Sequence, residues 1–370
     1  MAQHQTSLET VLDFSPVFLL PPHQKQHAQV LLNTCIQHYG LEQSVQSGYK
    51  PARLVHEMFS SDDVSIASAL SYIENCIGGS CAHSGGLAHI NVAIEKFAEY
   101  IVDNFLLPLR ASSAKTPQAT PTALSLSQTP APIGTRQRLS ILRKSCLLRD
   151  HYRCVISRKF DTVEARRRNE KYGDMCEDND GNLLRDESDG GFGFQHLEVA
   201  HILPHCLATM GPGESELSES KMNVLRILDM FDPGLSHRID GPNIDSPTNA
   251  LTLTLDYHRL FGEFQLLFEP TGKPLEYRID SLESSFLRDP IFPVTRELTL
   301  SPNHTVSPPD PRLLRVHSAI AHITPNGAGD HIERILRDIE EVDVKADGST
   351  NLGYLAGLRL NGWLSTLAVF

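Results

Sequence analysis

The chain has 370 residues, of which 40% are hydrophobic and 21% charged, with a formal net charge of −12. That length allows about two or three compact units, and the ordinary composition excludes disorder as the state of the whole. The acidic total excludes a protein that coats nucleic acid over its entire surface, because phosphate binding needs dense positive charge.

No apolar run approaches a bilayer-spanning length, and residues 1–20 lack a basic start followed by an apolar stretch. An intracellular protein, nuclear or cytoplasmic, without signal peptide or transmembrane segment, is therefore expected. The seven cysteines include Cys154, Cys176 and Cys206, are odd in number and are nowhere spaced as CxxC. Reduced, structural thiols are expected. A zinc site joining those three cysteines and a histidine is the less favoured alternative.

Residues 1–110 read as a helical domain. Ala28, Leu31, Leu32, Cys35 and Ile36 make one helical stripe, Val64, Ala67, Leu70 and Ile73 a second, and Ile90, Ala93, Ile94, Phe97, Ile101 and Phe105 a third. The Gly-rich stretch 77–86 has no Lys-Ser/Thr ending and is not read as a phosphate-cradling loop. Residues 111–135 shift to Ser, Thr, Ala and Pro with almost no charge, the composition of an extended linker. A basic helix over 136–150, a strand over 151–157 and a polar insertion with a helical piece over 161–194 follow.

Leu197 to His205 is an alternating apolar strand that delivers His201 near its end. The spacing of Met222, Leu225, Ile227, Leu228 and Met230 predicts an inserted helix over 218–230, lying over the hairpin. Ser246 to Phe261 reads as a helix-capable segment that carries Asn249 and then His258, the latter in a short helix opened by Asp256. A strand pair over 264–268 and 275–279 turns at 269–273, and helices are expected over 312–323, 330–339 and 352–364.

Singly, these three polar residues have plain readings. A strand-end histidine is commonly just hydrogen-bonded, Asn249 after Ser246-Pro247 fits helix-entry chemistry, and His258 fits a packed helix residue. Together, in the order His201, Asn249, His258, they resemble the HNH nucleases, the ββα-metal or His-Me finger family. Cys154 in its Arg-Cys-apolar-apolar-Ser context is similar to the strand with which HNH domains commonly open, and Ala200-His201-Ile202, His258-Arg259-Leu260-Phe261, Phe261-Gly262-Glu263-Phe264 and Phe268-Glu269-Pro270 are similar to a subgroup found in fungal proteins of unassigned role.

The resemblance implies an α+β fold, mainly helical, with a central ββα-metal finger and a small antiparallel sheet. It implies a metal-dependent endonuclease hydrolysing DNA phosphodiester bonds, with a divalent ion, magnesium before manganese or zinc. His201 takes the place of the general base. Asn249 takes that of the central asparagine, which braces the base or binds the metal. His258 takes that of the metal-binding histidine. Arg143, Lys144, Arg153, Arg158, Lys159, Arg166, Arg167 and Arg168 form the basic stretch that would meet phosphates, a solvated helix face being the plain alternative.

Ala200 and Gly262 stand where many members carry further ligands, leaving Glu198, His205, Asp245 or Glu263 to complete the shell. The same departures motivate the alternative of a catalytically weak or inactive module that binds nucleic acid or protein. The expected domains are 1–110, the linker 111–135, the HNH domain 136–282, and a helical extension 283–370 packing on it. Target, oligomeric state and the role of 1–110 stay open.

Overall fold

The computed structural model describes residues 22–46, 48–60, 86–113, 133–187, 192–208, 217–301, 304–340, 357, 358, 361 and 363. In chain order these form α1 (Pro22–Tyr39), α2 (Pro51–Ser60), α3 (Gly86–Ile101), α4 (Leu107–Ser113), α5 (Ile133–Arg149), β1 (Phe160–Asp161) and α6 (Thr162–Tyr172). There follow β2 (Phe194–Gln195), β3 (Leu197–His201), α7 (Glu219–Phe231), β4 (Ala250–Thr254), α8 (Leu255–Gly262), β5 (Leu266–Pro270), β6 (Glu276–Ser281), β7 (Val294–Glu297), α9 (Pro311–Ile323) and α10 (Gly329–Glu340). This is the mainly helical α+β architecture expected. The helix expected over 63–76, residues 77–85 of the Gly-rich loop, and most of the linker and of 352–364 lie outside the described residues.

The chain divides into two compact units. One comprises Met1–Ala111, Met210–Ser236 and His322–Phe370, the other Ser112–Thr209 and His237–Ala321. Each unit gathers segments distant in sequence. In the first unit α1, α2 and α3 bury Leu32, Ile36, Leu54, Val55, Met58 and Phe97. Phe59 stacks on Phe97 at 6.2 Å. The inserted helix α7 belongs to this unit, not to the hairpin's, and its Phe231 stacks on Phe105 at 5.4 Å. Trp363 is buried there and donates from Nε1 to Ser220 Oγ at 2.8 Å.

The second unit is built on the antiparallel pair β3–β4, with Leu197 opposite Thr254 and His201 opposite Ala250. On one side α5 packs Leu142 and Cys146 against Val199 and Ala250. The chain leaves β4 directly into α8, whose start is capped by Thr254 Oγ1 accepting the Tyr257 N–H at 3.4 Å. The expected strand pair is present as β5 and β6, and β7 adds a third antiparallel strand. From α9, Ser318 Oγ takes the Phe268 N–H at 2.8 Å, and His317 stacks on Phe261 at 3.8 Å between ring centres.

The strand expected over 151–157 is instead a turn. His151 and Tyr152 have φ of 55° and 57°, values no strand accommodates, and only an isolated bridge joins Arg153 to Phe160. Cys154 Sγ closes the turn by accepting the Ser157 N–H at 3.4 Å.

Arg149 is fully buried at the end of α5. Its guanidinium pairs with both Asp150 oxygens at 2.7 and 2.8 Å and donates to Pro247 O at 2.6 Å and Ala250 O at 2.9 Å. Asp150 in turn accepts the Thr252 N–H at 3.2 Å. This buried pair ties the helix end to the start of β4.

Candidate active site

Side chains alternate across a strand, so β3 sends Leu197, Val199 and His201 one way and Glu198 and Ala200 the other. His201 falls at the strand's last position, on the side where α5 packs. Glu198 falls on the opposite face and meets α8, where His258 Nδ1 lies 2.7 Å from Glu198 Oε2.

His201 is buried, and its Nε2 lies 3.2 Å from Asp245 Oδ1. With the carboxylate accepting, Nε2 carries the proton and donates it. Nδ1, also buried, has no hydrogen-bond partner among the described residues. His205 Nδ1 reaches the same Asp245 oxygen at 2.7 Å, and Arg138 Nε from α5 donates to the other, Oδ2, at 3.0 Å.

Burial by itself would raise the Asp245 pKa, but the hydrogen bonds from His201 and His205 and the Arg138 donor hold it well below the usual carboxylate range. The His201 pKa is lowered, chiefly by burial and further by the nearby His205 and His258, against a partial opposing effect of its bond to Asp245. The imidazole is consequently neutral at neutral pH.

Asn249 is wholly buried. Its Oδ1 accepts the Leu203 N–H at 2.9 Å, and its Nδ2 donates to Leu203 O at 3.0 Å and Ile244 O at 2.9 Å. The amide thus clips Leu203, just after His201, to Ile244, just before Asp245. With three hydrogen bonds and no exposure, Asn249 is placed to brace the loop after His201. Ser246 Oγ accepts the Thr248 N–H at 3.3 Å, which is the entry chemistry its Ser-Pro context suggested.

Among the described residues one group of three offers metal-ligating atoms within 4.8 Å of one another: His201, His205 and Asp245. This set can hold a divalent ion. The three cysteines considered from sequence form no such group among the described residues. Cys154 closes its turn, and Cys176 packs with Phe160 and Leu184. Glu263 caps the end of α8, while Glu198, His205 and Asp245 are the members of the alternative shell that join the histidines. Their signal was only that each polar group stood a few residues from His201 or Asn249.

Much of the basic stretch is used inside the fold. Arg153 is buried, pairing with Asp178 at 2.7 Å and donating to Arg158 O at 2.8 Å. Arg167 and Arg168 both pair with Glu164, at 2.7 and 2.8 Å. Arg143 donates to Leu197 O at 3.0 Å, Lys159 to Gln195 Oε1 at 3.2 Å, and Arg158 to Glu297 O. Lys144 and Arg166 are exposed. Arg153 is therefore a core residue, because its charge is spent on Asp178 out of contact with solvent.

No helix among the described residues is long and apolar enough to cross a membrane. No curated protein and no solved structure matches the chain. The family model described as HNH endonuclease does match, over residues 154–269, the span that contains the β3–β4 hairpin, α8, His201, Asn249 and His258. Over residues 154–269 the chain is thus similar to the HNH endonuclease family.

Proposed function

We propose that the protein is a metal-dependent endonuclease that hydrolyses DNA phosphodiester bonds, with His201 as the general base. The observation that carries this reading is the state of His201: Nε2 engaged by Asp245, Nδ1 unpartnered, the ring neutral. A neutral imidazole has one lone pair, and with Nε2 donating to Asp245 it lies on Nδ1.

Water attacking phosphorus in line would give its proton to Nδ1, while Asp245 fixes the tautomer and stabilises the imidazolium that results. Asn249 holds the loop that positions the ring. His258 and Glu198, paired at 2.7 Å on the other face of β3, have the donor chemistry to hold a divalent ion, magnesium being the expected one. When bound, that ion supplies positive charge to the phosphate and the leaving oxygen. Exposed Lys144 and Arg166 are the members of the basic stretch best disposed to meet phosphates.

The test is nicking of plasmid DNA by the full chain with magnesium, manganese, zinc or chelator, beside His201→Ala and His258→Ala. The expected outcome is metal-dependent cleavage that falls about 10²- to 10⁴-fold without the base. Equal rates for parent and His201→Ala would refute the assignment. Ala200, which offers no ligand beside the base, favours a second reading as a binding module that does not cut. In that case no metal would elicit cleavage from folded protein.

A further inference from the structure

We infer that His201, His205 and Asp245 form a second cation site, distinct from the His258–Glu198 pair, that takes zinc-like ions and withdraws the base when filled. The inference builds on the reading of His201 as base, but the binding it requires can be measured without cleavage.

The three ligand atoms already converge. His201 Nε2 and His205 Nδ1 lie 3.2 and 2.7 Å from Asp245 Oδ1, and the two rings, 5.7 Å apart and tilted by 50°, are splayed rather than stacked. Zinc bonds of about 2.0–2.2 Å in tetrahedral geometry put neighbouring ligand atoms roughly 3.3 Å apart. His205 would have to open from Asp245 by about 0.6 Å to meet that spacing, and the three ligand atoms already lie within 4.8 Å of one another.

All three side chains are buried, so the site presents fixed donors rather than mobile surface groups. Two imidazoles and one carboxylate suit zinc, cobalt or nickel, whereas magnesium demands oxygen ligands and keeps most of its water. Arg138 holds Asp245 Oδ2 at 3.0 Å and so turns Oδ1 toward the two histidines, as outer partners of metal ligands do. Its positive charge also opposes the cation, so selectivity comes from the donor types rather than from net negative charge.

Filling this site has a chemical consequence. The ion takes the lone pair at Nε2, so the single proton of neutral His201 moves to Nδ1. His205, ligating through Nδ1, would carry its proton on Nε2. With Nδ1 protonated, His201 cannot accept a proton from water. One histidine cannot be ligand through one nitrogen and base through the other, so magnesium at His258–Glu198 supports cleavage and zinc at His201–His205–Asp245 opposes it.

The experiment is titration of the metal-free full chain with cobalt(II), read by visible absorption, and competition by zinc. Variants are His205→Ala, His205→Asn and His258→Ala, each checked by circular dichroism and thermal melting without metal. The parent and His258→Ala should show the intense tetrahedral bands at one equivalent, displaced by zinc. Both His205 variants should bind at least tenfold more weakly. Absence of tetrahedral bands in the parent, loss of them in His258→Ala, or parent-like affinity in folded His205 variants would overturn the proposal. In the cleavage assay, zinc added to magnesium should inhibit the parent but not His205→Ala. If the parent cuts no DNA but binds cobalt as stated, the nuclease reading fails and the site stands.

Discussion

Replacing Asn249 separates its two possible roles. In Asn249→Ala the Leu203 N–H, Leu203 O and Ile244 O lose their partners at a position with 0% exposure. A buried polar group left unsatisfied costs about 1–3 kcal/mol, and carbonyls tolerate this better than N–H groups. With some relaxation of the loop, roughly 3–5 kcal/mol of the unit's stability should be lost, a large fraction of the usual total. Asn249→Asp should do at least as badly. It keeps an acceptor for Leu203 N–H but faces two carbonyl oxygens with a carboxylate that cannot donate to them. The single tryptophan, Trp363, belongs to the other unit and does not report this change directly. Urea unfolding should therefore be followed by amide hydrogen exchange at Ile202 and Leu203, whose N–H groups bond to Asn249 O at 2.8 Å and to Oδ1 at 2.9 Å. A loss under about 1 kcal/mol in Asn249→Ala, or a stable Asn249→Asp that binds magnesium more tightly, would refute the brace and restore the ligand role.

Acid should destabilise the same unit through His317. Burial pushes its pKa down from 6.5 to about 3, despite its bond to Phe261 O at 3.0 Å. The unfolded chain then takes up a proton before the folded one does. Stability is full above about pH 6.5 and falls by up to roughly 4–5 kcal/mol as pH drops toward 3. His317→Gln should flatten that part of the stability profile in urea titrations run at stepped pH, and an unchanged slope would count against this account. Truncating Arg149 to Ala should cost about 3–5 kcal/mol, because Asp150 would stay buried without its counter-charge. The Arg149→Ala, Asp150→Ala double variant should recover part of that loss, and purely additive effects would argue that the pair does not act as a unit.

The sequence by itself determined the kind of domain and the three residues that head its motif. The strand period around His201, the short helix carrying His258, and the Asn249 between them are local patterns that reach the page without any long-range contact. The strand pair after α8 and the helices at 312–323 and 330–339 were legible for the same reason. The His151–Ser157 turn was not, because its two left-handed residues have side chains that give no cue to positive φ.

Only the tertiary structure decided what surrounds the motif. Asp245 and His205 meet His201, and Glu198 meets His258, across connections whose length and composition say nothing of where they return. The arginines illustrate the same limit: Arg153 looks like part of a phosphate patch until Asp178, 25 residues further on, is seen to pair with it in the interior, whereas Arg167 and Arg168 pair with Glu164 within their own helix. Periodicity and capping act over a few residues and are written in order. Charge pairing and ligand convergence act through space, and they exist only once the hairpin has closed.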